Sequence, residues 1–251
     1  MIGFFTAFDV LSMDVAHIAS ALPMADDQTW FNRPVIQQDL LKATIDTLYM
    51  VFASTLATVV FGVPLGVILA ETRKGGIAQN RMVNRVLGLL VNTGRAIPFI
   101  ILAVIVLYAI RAIDVSWLSA IGWKAFAIAL TVSAVPYFAR MVESNVLAVS
   151  PGKVEAAQMA GASNVAIMAG VLVREALPSI VQSITILTIT IIGYAAMGGS
   201  LGAGGLGALA INHGYQRNNF DVVVITTVVI LIMVFIIQWI GDMLSRLVDH
   251  R

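Results

Sequence analysis

Residues 154–161 read Val-Glu-Ala-Ala-Gln-Met-Ala-Gly, a polar, amphipathic stretch set between long apolar segments, and their chemistry is mechanical. Ala156 and Ala157 carry almost no side chain and let another surface approach closely. Glu155 supplies a charge for register or for capping. Gly161 fits a helix stop, where left-handed backbone is cheap only for glycine. Groupings that do covalent chemistry are missing. His17, His213 and His250 lie far apart, there is no cysteine, and neither a Ser-His-Asp arrangement nor a carboxylate pair occurs. No metal site, no cofactor and no enzymatic activity is therefore expected. Residues 202–207, Gly-Ala-Gly-Gly-Leu-Gly, satisfy G-x-G-x-x-G. They follow an apolar helix rather than a strand, and no G-K-[ST] accompanies them, so neither a dinucleotide site nor a P-loop is read here. A close-packed turn at the outer mouth, through Gly202, Gly204, Gly205 and Gly207, is the expectation, either as a contact surface for a docked partner protein or as a purely structural turn.

Membrane helices are expected to carry these residues. Apolar residues make up 59% of the chain and charged residues 12%, against about 45–50% and about 25% in soluble domains. That apolar surface needs lipid as its solvent. A net charge of +1, with no basic stripe, argues against a nucleic-acid partner. Five spans of about 20 apolar residues are predicted at 44–70, 87–110, 122–145, 177–201 and 222–241, giving an all-α polytopic membrane protein. Residues 1–35 form an N-terminal arm. Asp9, Asp14 and His17 interrupt its apolar start and no basic region precedes it, so no cleaved signal is read. Phe4, Phe5 and Phe8 offer a weak membrane contact, and residues 25–34 read as a polar linker. Trp117, Trp123 and Trp239 fall at predicted span ends, as interfacial aromatics do, with core packing as the alternative for each.

Lysine and arginine in short loops set the direction. Arg73, Lys74, Arg81 and Arg85 cluster after the first span, and Lys153 and Arg174 lie after the third. The N-terminus is then expected outside and the C-terminus in the cytoplasm, with loop 150–176 facing the cytoplasm. Within that loop Ser150-Pro151 reads as a helix start, a short helix covers 151–160, a second begins at Ser163, and Pro178 opens the fourth span. A short helix standing off the membrane can lie in a groove of a partner and move as a lever when the partner closes.

The Glu155-Ala156-Ala157 run, with Gly161 and the later Leu177-Pro178, resembles the cytoplasmic signature of ABC importer permeases. From about Leu40 onward the chain resembles the methionine-importer permeases among them. Residues 95–102 (Arg-Ala-Ile-Pro-Phe-Ile-Ile-Leu), 136–143, 175–178, 193–199, 202–207 and 238–242 carry the likeness. The resemblance implies a type I importer fold of five helices per subunit and a homodimer. It also implies two copies of a separate cytoplasmic ATPase and an extracytoplasmic substrate-binding lipoprotein, in a bacterial inner membrane. It would assign ATPase coupling to Glu155, Ala156, Ala157, Gly161, Leu177 and Pro178. Two departures stand out. Arg174 replaces a proline of the family pattern, so the second loop helix is expected to run on or bend less. Residues 1–35 have no family counterpart.

Three further positions carry weight. Met197, beside Tyr194, Gly198 and Gly199, reads either as an apolar gate at a dimer axis or as a packing methionine. Arg95 reads as an intramembrane charge or as a side chain snorkelling to the cytoplasmic interface, the second being preferred. Arg140 and Glu143 are spaced for an i,i+3 pair, with an ATPase contact as the alternative. The rival functions are a permease for another small amino acid, an ion-coupled secondary transporter and a membrane scaffold. A secondary transporter usually places acidic or histidine residues deep in the bilayer; the middles of the fourth and fifth spans carry no charge.

Overall fold

The computed structural model describes residues 30–113, 119 and 121–248, and among them it is helical with no strand. The arm before Trp30, Trp117 and His250 lie outside the described residues. Helix α1 spans Pro34–Thr72, α2 Arg81–Ala96, α3 Phe99–Ile113, α4 Trp123–Leu147 and α5 Pro151–Met159. Helix α6 runs unbroken over Asn164–Leu201. A short α7 begins at Gly205 and passes into a π-helical stretch, Leu209–Tyr215. Helix α8 is Phe220–Val248. Among the described residues four helices are long and apolar enough to cross a membrane, and the bent pair α2–α3 adds a fifth where it is counted as one broken span.

Helix α1 starts ten residues before the predicted span. Pro34 occupies its first turn, where a missing N–H costs nothing. The added turns are amphipathic: Ile36 and Ala43 bury themselves against Leu206, Leu209 and Val222, while Asp39 stays exposed. A hydropathy window averages those faces and misses the turns. At the same end Asp221, 3% exposed, accepts the Trp30 backbone N–H at 2.8 Å and pairs with Arg33. Part of the expected polar linker is thus a short 3₁₀ turn, Trp30–Asn32, tied to the head of α8.

The second span is corrected most. It is not one helix over 87–110 but two helices bent by 105°. Pro98 lacks the N–H that would continue α2, and it holds Ile97 extended, at φ −78° and ψ 127°.

The core forms where α1 lies along α4. Ser54, Thr58, Gly62 and Gly66 recur every fourth residue on the buried face of α1. A Cβ on Gly62 would lie 2.7 Å from Phe138 Cδ1, and one on Gly66 2.5 Å from the Ala139 carbonyl. Small residues at this spacing let membrane helices approach backbone to backbone. The stripe was readable in the sequence as an every-fourth-residue pattern inside the first span. Phe126, Leu130 and Phe138 of α4 fill the centre with Leu187 and Ile191 of α6.

Candidate coupling loop and open helix face

At one end of the bundle α5 stands off as a ledge with no buried residue. Ser150 is extended and Pro151 begins the helix as expected, but the Ser150 hydroxyl makes no cap bond. The far end closes as a glycine stop: Gly161, at φ +78°, donates to the Gln158 carbonyl at 2.9 Å and Ala162 donates to the Ala157 carbonyl at 3.1 Å. This paired arrangement satisfies two carbonyls that the helix end would otherwise leave open.

Glu155 and Ala156 are exposed and Ala157 half-buried. The Glu155 carboxylate has no ion-pair partner among the described residues. It borders a cavity of about 260 Å³ beneath the ledge, shared with Glu71, Arg73 and Gln158. Met159 is 90% exposed and Val165 74%.

Val154 and Ala157 of the ledge pack, half-buried, against the core, and two polar contacts add to this. Lys153 forms an ion pair with Glu175 of α6, and the Asn164 side chain donates to the Ile77 carbonyl at 3.1 Å. Ser163 caps α6 by accepting the Ala166 N–H at 3.3 Å. From there the helix passes through a π-helical stretch, Met168–Leu172, and runs on past Arg174. Pro178 was expected to open the fourth span. It sits inside α6 instead, because nothing between Asn164 and Leu177 stops the helix. Leu177 is exposed and Pro178 half-buried, in the turn after the Lys153 contact.

At the opposite end of α6, Gly198 and Gly199 are buried for a packing reason. A Cβ on Gly198 would lie 2.4 Å from Phe126 Cε1, and one on Gly199 2.3 Å from the Gly207 carbonyl carbon. Met197, just before them, is 51% exposed, so within one subunit it packs no core. Tyr194, one turn earlier, stacks on Phe99 with ring centroids 4.3 Å apart.

The glycine turn closes this end. Gly202 and Gly204 take φ of +80° and +81°, Gly122 donates to the Gly202 carbonyl at 3.0 Å, and Thr47 accepts the Leu206 N–H at 2.9 Å. A Cβ on Gly205 would fall 2.5 Å from Thr47 Oγ1, and one on Gly207 2.1 Å from the Ala196 carbonyl.

Arg140 and Glu143 make the expected pair at 2.6 Å. Arg140 also reaches the Asn92 side chain at 2.9 Å, which fastens α2 to α4. Trp123 stacks on Tyr49 at 5.7 Å, while Trp239 is 67% exposed.

A family model described as binding-protein-dependent transport system inner membrane component matches residues 62–250. The probable D-methionine transport system permease protein MetI of Vibrio cholerae is 44% identical, over 84% of this chain and 93% of its own length. The methionine import system permease protein MetP of Bacillus subtilis is 42% identical, over 85% and 95%. A solved structure described as inward-facing conformations of the MetNI methionine ABC transporter superposes with a TM-score of 0.83 at 40% identity, over 86% of this chain and 99% of that one. An amino acid ABC transporter at 16% identity shares the fold, with a TM-score of 0.72 over 89% and 99%.

Proposed function

Since the chain belongs to the family of binding-protein-dependent transport system inner membrane components, we propose that it is the membrane permease subunit of an ATP-driven importer whose cargo is methionine. Its relatives carry that cargo in their names and align with it over nearly their whole length. Two copies form the translocation path. Two copies of a separate ATPase supply hydrolysis from the cytoplasm, and a substrate-binding protein delivers cargo on the other side. Residues 36–251 make up the transmembrane domain, with residues 1–35 as an arm. The basic cluster Arg73, Lys74, Arg81 and Arg85 sets the α5 end in the cytoplasm. The N-terminus is then outside and the C-terminus inside.

One observation carries the mechanism: α5 is a nine-residue helix with none of its residues buried. Glu155, Ala156, Ala157 and Gly161 present its docking surface, and Met159 and Val165 fill a groove on the ATPase. Closure of the ATPases pushes the ledge. Lys153–Glu175 passes the push to α6 near Leu177 and Pro178, and the far end of α6 carries Tyr194, Met197, Gly198 and Gly199. Met197 from each copy meets at the axis as an apolar gate. The turn through Gly202, Gly204, Gly205 and Gly207 faces the binding protein.

The test is co-purification of the tagged chain from membranes. The ATPase should accompany it in equal amount, two copies of each by native mass spectrometry. Glu155→Lys should insert normally yet lose ATPase on washing and cut methionine uptake at least about tenfold, the loss of one charged or well-packed interface contact. Uptake at the wild-type rate in that variant would sink the coupling role of α5.

A further inference from the structure

The break between α2 and α3 opens a cavity of about 160 Å³. Its wall includes Arg95, Phe99, Ser133, Tyr137, Thr190 and Tyr194. Its depth follows from α4, Trp123–Leu147. Ser133 and Tyr137 each lie about ten residues, roughly 15 Å at 1.5 Å per residue, from the nearer end of that helix. That is half of a hydrocarbon core of about 30 Å. Helix α2 is held at this level because a Cβ on Gly94 would already be 2.7 Å from Pro136 Cγ. Counted along α4, Arg95 therefore leaves the backbone near the level of that helix's middle.

A guanidinium at that depth is costly and functional by default. Arg95 has no ion pair among the described residues, in contrast to Arg140, which is held by Glu143 and Asn92. Headgroup phosphates lie half a bilayer away. The other walls supply complementary chemistry. The Ser133 hydroxyl donates to the Ala129 carbonyl and the Thr190 hydroxyl to the Ile186 carbonyl, both at 2.8 Å. Each oxygen therefore keeps lone pairs with which to accept. The stacked Phe99 and Tyr194 rings give an apolar wall. The break itself frees backbone groups of two half-helices at one level, as intramembrane substrate sites do.

We propose that this cavity is a transient cargo station within the membrane. Arg95 holds the carboxylate of a free amino acid, the Ser133 and Thr190 hydroxyls accept from its ammonium, and Phe99 with Tyr194 flanks its apolar side chain. A cavity of about 160 Å³ has room for one small amino acid. The inference rests on the importer reading and adds the cargo contacts along its path.

The test uses the whole complex, permease with ATPase and binding protein, in proteoliposomes. Methionine moved per ATP hydrolysed should fall about tenfold or more in Arg95→Gln, the effect of losing one charged hydrogen-bond donor, and recover in part in Arg95→Lys. The chain has no cysteine, so Ser133→Cys adds the chain's single thiol. Its labelling by a small thiosulfonate should slow several-fold with methionine-loaded binding protein relative to the same complex with cargo-free binding protein. An unchanged transport ratio in Arg95→Gln, or labelling indifferent to cargo, overturns the station alone. Should Arg95→Gln fail to assemble, the thiol protection decides by itself. No methionine import by the wild-type complex overturns the importer reading and the station with it.

Discussion

Helices α6 and α8 lie against each other, and a Cβ on Gly241 of α8 would fall 2.0 Å from Thr185 Oγ1 of α6. Each leaves one stripe uncovered, and the two stripes differ in kind. On α8 the stripe is Val228, Leu231, Ile232, Phe235, Ile236 and Trp239, about half to two-thirds exposed and closed at its end by the amphipathic indole. On α6 the open or half-open residues are Gln182, Ile186, Thr190, Gly193, Met197 and Ser200. The first stripe suits hydrocarbon over its whole length. The second places an amide, hydroxyls and a bare backbone at intervals that lipid would penalise. It suits a water-filled path or a second copy of the chain. Adjacent helices of one bundle can thus be written for different solvents, and the composition of the open face identifies which.

The strongest consequence falls on the α8 stripe. Phe235→Asp puts a charge in the middle of the α8 stripe, where a spanning helix loses about 3 kcal/mol of insertion free energy. The amount of protein in the membrane should drop sharply. Gly193→Asp puts the same charge on the α6 face, where a Cβ meets nothing within 4 Å. Its membrane level should stay near wild type while uptake changes. Quantitative blotting of membranes beside an uptake assay reads both. Equal losses of membrane protein would mean that both faces meet lipid.

Much of this division was legible in the chain and some was not. The all-helical membrane class, the standing helix of the loop and the glycine stop at Gly161 follow from apolar run length and from capping chemistry, both local. The close-packed turn at 202–207 was readable for the same reason. The break at Pro98 was within reach: a proline bars its predecessor from helical backbone, yet a hydropathy window weighs only how apolar a residue is. The early start of α1 was hidden because its first turns are amphipathic. The tie between Arg33 and Asp221, and the level of Arg95 beside Pro136, are tertiary facts; no local pattern states which residue lies opposite in space.

The two helices also differ in the ion pairs at their heads. Helix α8 is pinned by Asp221, 3% exposed, against Arg33, 23% exposed. Replacing Asp221 by Asn keeps the shape and removes the charge, which leaves a largely covered guanidinium without its counterion. The loss should be about 2 kcal/mol, seen as a fall on the order of 5 °C in the unfolding midpoint of the detergent-solubilised protein.

Helix α6 is tied to the ledge by Lys153 and Glu175, 50% and 35% exposed. A pair so open to water is worth well under about 1 kcal/mol, and Lys153→Ala should leave the unfolding midpoint nearly unmoved. Its effect should appear in coupling instead, as less methionine moved per ATP at unchanged membrane level. On the proposed function, a head that swings with an ATPase is served by a weak tie, and the head of a helix with an open apolar stripe by a buried one. A midpoint shift for Lys153→Ala as large as that for Asp221→Asn would show the ledge to be a rigid part of the bundle, and the lever would have to lie elsewhere.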